Sequence, residues 1–420
     1  MKIGVIISDL VSQNGGGRIA LSGARELARQ GHEVTVYTQR YIPERTYQDL
    51  ITGYGVRSLP THVSRKARPV LGIPVRGFST LSSYVNEHRM ARLLAGLIDR
   101  DVDALNPHGS RIAYLAAHHF QKRVRRVPTV YQMNDPQLIE WRKCRPSTFN
   151  TEPHCSPAKR TLFRLIDWYD TARFLKSVGR IAVLNSETKN YARGALGREA
   201  AVVRAGVDTD FFAFRSRPPP SGQRVTFLSY ANFFPHRRFE DGIDAVRILV
   251  DRGYDPAYII LGDSHTYRIY RDYRDRLAAQ AAAAGVADRV SFPGRPTQAE
   301  ALRHLHEADV FVHPNYLQTW GLVVFEAMAT GIPTILSRGA GAHEVLTDRQ
   351  QAMLVNPKDP SAIAGAVGEL IADSALYHRL STEGSAFARR EISWGRYADG
   401  IVALIAEAAG DSQAAGDGAQ

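Results

Sequence analysis

Four neighbouring residues, Gln318, Thr319, Trp320 and Gly321, stand just ahead of a lone acid, Glu326, in the stretch NYLQTWGLVVFEAMATGIPTIL from Asn315 to Leu336. The pattern reads as a loop, a short helix with Val324, Ala327 and Met328 on one side, a stop at Gly331, and a new extended segment from Ile332. A carboxylate buried without partners is costly. A vicinal diol such as a ribose would satisfy it by donating two hydroxyls. The backbone N–H groups of Trp320, Gly321 and Leu322, at the start of the helix, make an anion site. The competing reading pairs Glu326 with a nearby Arg or lets it reach solvent.

Other loops that follow strands carry similar chemistry. Gly15, Gly16 and Gly17 let backbone approach a bulky anion at a helix N-terminus, although neither G-x-G-x-x-G nor a P-loop is present. A tight turn alone explains them equally well. His108, in NPHGS, could donate to a ligand hydroxyl or shuttle a proton; alone, a capping or surface histidine is the commoner case. Arg237 and Arg238, in NFFPHRRFEDG, suit a diphosphate by their bidentate geometry and permanent charge, or form a solvated pair. Glu344, in SRGAGAHEV, reads as a first-turn acid favoured by the helix dipole.

The elements that position these residues alternate. KIGVIIS, RIALSGARELARQG and HEVTVYT form a βαβ unit, and VDALNP, VPTVYQM, GRIAVLN and EAAVVRAG add strands. Three prolines in RSRPPPSGQR, Arg215 to Arg224, mark a linker. The pattern then restarts with VTFLSYA, AYIILGD, VSFPG, DVFVHP and PTILSR. The expected architecture is α/β, with two doubly wound Rossmann-like domains, 1–214 and 215–393, facing across a cleft. A last helix at about 394–409 packs back on the first domain, and 410–420 is expected to be a disordered tail. Open sheets of this kind bind ligands at the carboxyl ends of their strands.

Composition narrows the function. The chain has 420 residues and net charge +11. Residues 1–214 carry roughly +14 of it and the remainder roughly −3. A basic half attracts the phosphates of lipid head groups, nucleic acid or nucleotides; an arginine-rich surface is the plainer explanation. Arg65, Lys66, Arg68 and Arg76 lie around the apolar PVLGIP, and Lys122, Arg123, Arg125 and Arg126 form a second cluster. A nucleic-acid partner is not expected, because no binding motif is present; Tyr267, Tyr270 and Tyr273 recur at helical spacing and read as packing. Two cysteines, Cys144 and Cys155, exclude a disulfide scaffold and fit a reducing cytosol. With His154 they match no zinc spacing. The N-terminus reads as a strand and not as a signal peptide, and no apolar run nears the roughly 18 residues of a spanning helix.

Taken together, these motifs resemble the retaining, GT-B, group-1 family of nucleotide-sugar glycosyltransferases. QTWGLVVFEAMATGIP matches the family's E-x-F-G-L-x-x-x-E-A-M-A-x-G-x-P except at Gln318 and Trp320, and KIGVI…GGG…ELARQGHEVTVYT, RAGVDTDFF, DRVSFPG and GAGAHEVL match elsewhere. The resemblance implies a hexosyltransferase moving sugar from a UDP- or GDP-linked donor to an acceptor hydroxyl with retention, without cofactor or metal. It implies that Gly16 meets the diphosphate or acceptor and His108 the transferred sugar. Arg238 would take the place of a phosphate-binding Lys, with Arg237 beside it. Thr319, Trp320, Gly321 and Leu322 would line the sugar and diphosphate, and Glu326 would hold the ribose. Gln318 replaces the first glutamate, Asn232 replaces an Arg, and Asn134-Asp135 replaces His-Asp. These departures keep a second reading open: a catalytically weak or inactive nucleotide-sugar-binding protein. The expected location is cytoplasmic, peripheral on the inner face of the membrane, with an acceptor that is anionic, lipid-linked or a polysaccharide.

Overall fold

The structure, a computed structural model, describes residues 1–61, 79–145 and 155–417. The chain forms two compact units: one is built from residues up to Ala205 and from the chain end beginning at Trp394, the other from Gly206–Ser393. In the first unit the strands are β1 (Lys2–Leu10), β2 (Glu33–Tyr41), β3 (Gly55–Ser58), β4 (Ala104–His108), β5 (Val130–Met133), β6 (Arg180–Val183) and β7 (Ala201–Val202). They pair in parallel in the order β3-β2-β1-β4-β5-β6-β7. The helices are α1 (Gly15–Arg29), α2 (Ser79–Ala95), α3 (Arg111–Arg123), α4 (Ile139–Cys144), α5 (Pro157–Arg173) and α6 (Ser186–Leu196). Covered on both faces, the central strands read as continuous apolar runs and not as alternations. Ile6, Leu105, Tyr131 and Ile181 join Phe120 and Leu94 in one buried cluster.

The second unit repeats the plan with β8 (Arg224–Tyr230), β9 (Asp255–Leu261), β10 (Val290–Gly294), β11 (Val310–His313), β12 (Thr334–Ser337) and β13 (Met353–Val355), in parallel order β10-β9-β8-β11-β12-β13. Its helices are α7 (Phe239–Asp251), α8 (Arg268–Ala283), α9 (Gln298–Glu307), α10 (Leu322–Ala329), α11 (Pro360–Ala372) and α12 (Ser374–Glu391). Tyr270 and Tyr273 of α8 are buried in its core, as their spacing predicts, whereas Tyr267 caps the helix and is exposed.

The last helix, α13 (Trp394–Asp417), packs on the first unit against α1, β5 and β6. Glycines make that approach possible: a Cβ on Gly23 would lie 2.6 Å from the Tyr397 ring, and one on Gly179 2.9 Å from Ala408. The helix continues to Asp417, so the disorder expected from residue 410 does not begin there.

Other expectations are also corrected. The boundary between the units falls at Ala205/Gly206 and not at 214/215. The proline-rich stretch is no free hinge, because buried Arg217 donates to the carbonyls of Ala308 (2.6 Å) and Leu305 (3.0 Å) and pins it to the second unit. The glycines 15–17 are the first turn of α1 and not a loop: Asn14 caps that turn by accepting the Gly17 N–H at 2.8 Å. Cys144 and Cys155 are bonded to each other, with Cα atoms 5.1 Å apart, so they supply neither free thiols nor an argument for a reducing compartment. His154, Arg65, Lys66, Arg68 and Arg76 lie outside the described residues.

Candidate active site

At the carboxyl ends of β8, β11 and β12, three loops of the second unit come together. β11 ends at His313, and the chain then runs through Asn315 and Gln318 to Gly321. Gly321 adopts a left-handed conformation (φ 112°) and starts α10. The loop is fixed from the β12 side: the Gln318 N–H donates to the Gly339 carbonyl (3.0 Å), and the Gly341 N–H returns to the Gln318 carbonyl (2.9 Å). A side chain at Gly339 would collide with the carbonyls of Asn315 and Tyr316. Trp320 turns inward, its ring 4.9 Å from Phe325, so only its backbone is left for a ligand.

Inside this frame lies a polar network. His313 Nε2 is 2.6 Å from Gln318 Oε1, and the Asn315 amide is 2.5 Å from the same oxygen. Turned to satisfy its neighbours, the Asn315 amide instead presents its oxygen to Gln318, accepts from Arg237 Nη1 (2.8 Å) and donates to the Arg237 carbonyl (3.2 Å). Burial pushes His313 down to about 3, so its imidazole is neutral. Glu326, 3 % exposed, lies on α10 little more than one turn behind the helix N-terminus, whose first N–H groups have no intrahelical partner.

The two arginines behave differently. Arg237 joins the network. Arg238, held in the left-handed region (φ 55°), gives its guanidinium to Asp241 (3.0 and 2.5 Å) and Glu240 (2.8 Å) at the start of α7. It is therefore already paired with carboxylates. A third cation is Lys358, whose Nζ sits 4.1 Å from the ring centre of Tyr316, on the β11–α10 loop. Glu344 lies in a short 3₁₀ turn after β12.

In the first unit the ends of β1, β4 and β5 gather a smaller set. His108 is buried, its Nε2 2.7 Å from Asn106 Oδ1, and burial holds it neutral, down at about 3. The structure places its ring inside the sheet and not out on a loop. Its Nδ1, the Gln132 amide nitrogen and Asn134 Oδ1 are buried without a partner among the described residues. Buried polar atoms of this kind require an explanation, and a bound polar ligand would satisfy them. A Cβ on Gly16 or Gly109 would lie 3.6 Å from the Asn134 amide nitrogen, so bare backbone flanks that amide on both sides.

Comparison with known proteins follows the same division. The Glycosyl transferases group 1 pattern matches residues 210–387, and the Glycosyltransferase Family 4 pattern matches residues 13–211. The chain belongs to the group 1 glycosyltransferases. Its fold is the two-unit α/β GT-B fold. It superimposes on a glycosyltransferase from Rickettsia africae with a TM-score of 0.71 at 15% identity, covering 97% of this chain and 98% of that one. Anabaena HepE, solved with UDP and glucose, gives 0.69 at 16%, covering 97% and 100%. By sequence, this group 1 member is 30% identical over 244 residues to the phosphatidyl-myo-inositol mannosyltransferase of Mycobacterium tuberculosis H37Rv, which is 56% of this chain and 61% of that protein. The match thus spans less than two thirds of that relative's length. The Mycobacterium leprae protein of the same name is 27% identical over 341 residues, 79% of this chain and 80% of its own.

In this group 1 chain, then, Gln318, Arg237 and the α10 start stand together, with Glu326 just behind. Thr319 and Leu322 flank the same turn. Gly16 and His108 belong to the other unit. Sequence reasoning passed over His313, Asn315, Lys358 and Gln132. A signal for His313 and Asn315 was available in HPN directly after an apolar strand; Lys358 carries none, since it reaches the site only through the turn after β13. Among the described residues, no group of three or more His, Cys, Asp or Glu is arranged to hold a metal ion.

Proposed function

We propose that this protein transfers a hexosyl group from a UDP- or GDP-sugar to an acceptor hydroxyl, with retention at the sugar carbon. The observation that carries the reading is Glu326, buried on α10 just behind the helix start to which the loop of the Arg237–Asn315–Gln318–His313 network leads. A carboxylate there suits the ribose diol. The helix start, Arg237 and Lys358 suit the diphosphate, whose charge grows as the sugar leaves. These cations supply the leaving-group stabilisation from the protein itself, so the reading calls for no metal or cofactor. Gln318, an amide, can donate and accept toward sugar hydroxyls. The relatives named as mannosyltransferases, some as GDP-mannose-dependent, put GDP-sugars first among donors to test. Their phosphatidylinositol acceptors favour a lipid-linked acceptor held by the basic first unit, at the cytoplasmic face of a membrane. No helix among the described residues is long and apolar enough to cross one.

The test is a panel of UDP-, GDP- and ADP-sugars, measured for protection against thermal unfolding and for nucleotide release with and without acceptor lipid. A donor that binds only the folded state raises its melting temperature. Protection together with acceptor-dependent release supports transfer. Protection without release supports the second reading, a nucleotide-sugar-binding protein; Gln318, Asn232 and the carboxylate-paired Arg238 are the observations that favour it. No protection by any donor refutes both.

A further inference from the structure

Helix α5 is inverted relative to an ordinary surface helix. Its buried stripe is Phe163, Asp167, Asp170 and, just past its end, Phe174. Both acids of the helix point inward. Asp167 caps α4 by accepting the N–H groups of Ile139 and Glu140 (2.8 Å each). Asp170 accepts the Tyr84 hydroxyl (2.7 Å) and pairs with buried Arg111 (2.5 Å). The outward stripe is apolar instead: Leu162 is 51 % exposed, Leu165 60 %, Trp168 70 % and Tyr169 48 %. These positions recur at helical spacing and so share one face.

The exposed charges of α5 and its C-terminal flank have one sign. Between Lys159 and Lys176 the only acids are Asp167 and Asp170, both buried, while Lys159, Arg164, Arg173 and Lys176 are exposed. Arg160 is partly neutralised, because its Nε donates to Glu140 at 2.7 Å, and Arg164 is 3.7 Å from the same carboxylate. A cavity of about 490 Å3 opens beside the helix, with Arg164, Lys176 and the acids Glu140 and Asp167 among its lining residues and Leu138 and Leu196 as apolar wall.

We propose that the outward face of α5 docks this chain on an anionic lipid bilayer. Leucine and the amphipathic Trp and Tyr rings enter the boundary between head groups and acyl chains. The surrounding cations meet the phosphates, each adding a small attraction that salt screens. A protein partner would need acidic side chains opposite every cation of the rim; an anionic bilayer supplies that charge everywhere. The α5 face is held rigidly, since the inward acids tie the helix to α2, α3 and α4. The proposal deepens the functional reading, resting on it only for the acceptor being at a membrane, and it gives that membrane a specific contact.

The test uses the full chain and vesicles of phosphatidylcholine alone or in equal mixture with phosphatidylglycerol. The wild-type protein sediments with the mixed vesicles, less so as salt is raised, and stays in the supernatant with phosphatidylcholine alone. The double variant Leu165→Glu/Trp168→Glu and the charge variant Arg164→Glu/Lys176→Glu each lose at least about tenfold in partitioning. Their melting temperatures and protection by nucleotide-sugar stay as in wild type, because these side chains are exposed and lie in the unit that does not hold the donor network. Equal sedimentation of wild type and both variants overturns the proposal. So does a wild-type dimer that Leu165→Glu/Trp168→Glu dissolves without change in vesicle binding, which would assign the face to a second copy of the chain. Absence of sugar transfer alongside variant-sensitive vesicle binding would sink the functional reading and leave the docking face standing.

Discussion

Replacing Gln318 by Glu exchanges one amide nitrogen for oxygen in a site whose surroundings are known atom by atom. Oε1 is already within hydrogen-bond distance of two groups, His313 Nε2 at 2.6 Å and the Asn315 amide at 2.5 Å. A carboxylate keeps the His313 contact and takes the Asn315 contact when that amide offers its nitrogen; each becomes charge-assisted, contributing roughly 1.5–3 kcal/mol where the amide contributed about 1 kcal/mol. The larger effect falls on His313, which burial pushes down to about 3. A unit charge about 4 Å from the imidazole centre, at an effective dielectric of about 20, favours the imidazolium by about 4 kcal/mol, or about three pKa units. The low starting value already contains the lowering by the Arg237 charge. The expected result is a His313 that titrates between about 5 and 6 in Gln318→Glu, with turnover kept or raised. Imidazole NMR titration, alongside the pH profile of nucleotide release, reads both. A His313 that stays below about 4, or a loss of more than about tenfold in turnover, some 1.4 kcal/mol in the barrier, would refute the reasoning. Such a loss would mean that Asn315 presents its oxygen to position 318 and that the amide there is needed as a donor.

Glu326→Ala is expected to weaken nucleotide affinity by on the order of 2–3 kcal/mol, read by calorimetry; an unchanged affinity refutes the ribose role. Arg217→Ala removes both bonds to the Leu305 and Ala308 carbonyls and should cost about 3 kcal/mol in urea unfolding; a change below about 1 kcal/mol would return the proline-rich stretch to the status of a free linker. His108 and His313, both down at about 3 when folded, lie below the unfolded value of about 6.5. As pH falls the unfolded chain takes up protons first, so the stability these groups contribute is complete above about 6.5 and is lost on the way down toward 3. The urea midpoint should fall between pH 7 and 4.5, against the opposite pull of Asp167, which burial raises to about 6, and a midpoint that rises would contradict the burial of these rings. Gly339→Ala should push the Asn315–Tyr316 backbone away and reduce donor protection while leaving the first unit unchanged; undiminished protection would mean the loop has room.

Both sheets were legible because their central strands are short apolar runs bounded by glycine and polar turns, and because long amphipathic helices separate them. β3 and β13 escaped notice. The exposed edge strand GVRS has no apolar run, and MLV is too short to show a period. At the site, Gln318, Glu326 and Arg237 could be read from loop position and spacing. The pairing of Arg238 with Asp241 could not, since nothing in NFFPHRRFEDG says which of two arginines turns back onto the helix it precedes. Nor could the partners of Gln318, which are set by how β11, β12 and their loops are stacked. The cysteines misled for a simpler reason: eleven residues of separation are compatible with a bond or with none, and only the placement of α4 against α5 decides.

The position of α13 has a consequence for synthesis. Its Tyr397, Ala398, Ile401, Leu404 and Ile405 are all buried, and the helix packs against α1, β5 and β6, elements that leave the ribosome long before it. The first unit to be translated therefore cannot close that side of its core until the residues from Trp394 onward have been made. The second unit, whose described residues run without a break from Gly206 to Ser393, can complete itself sooner. The order of maturation runs opposite to the order of translation, with the exposed sheet face in the interim a natural client for chaperones. A chain cut short before Trp394 would hold a complete second unit joined to a first unit that never seals.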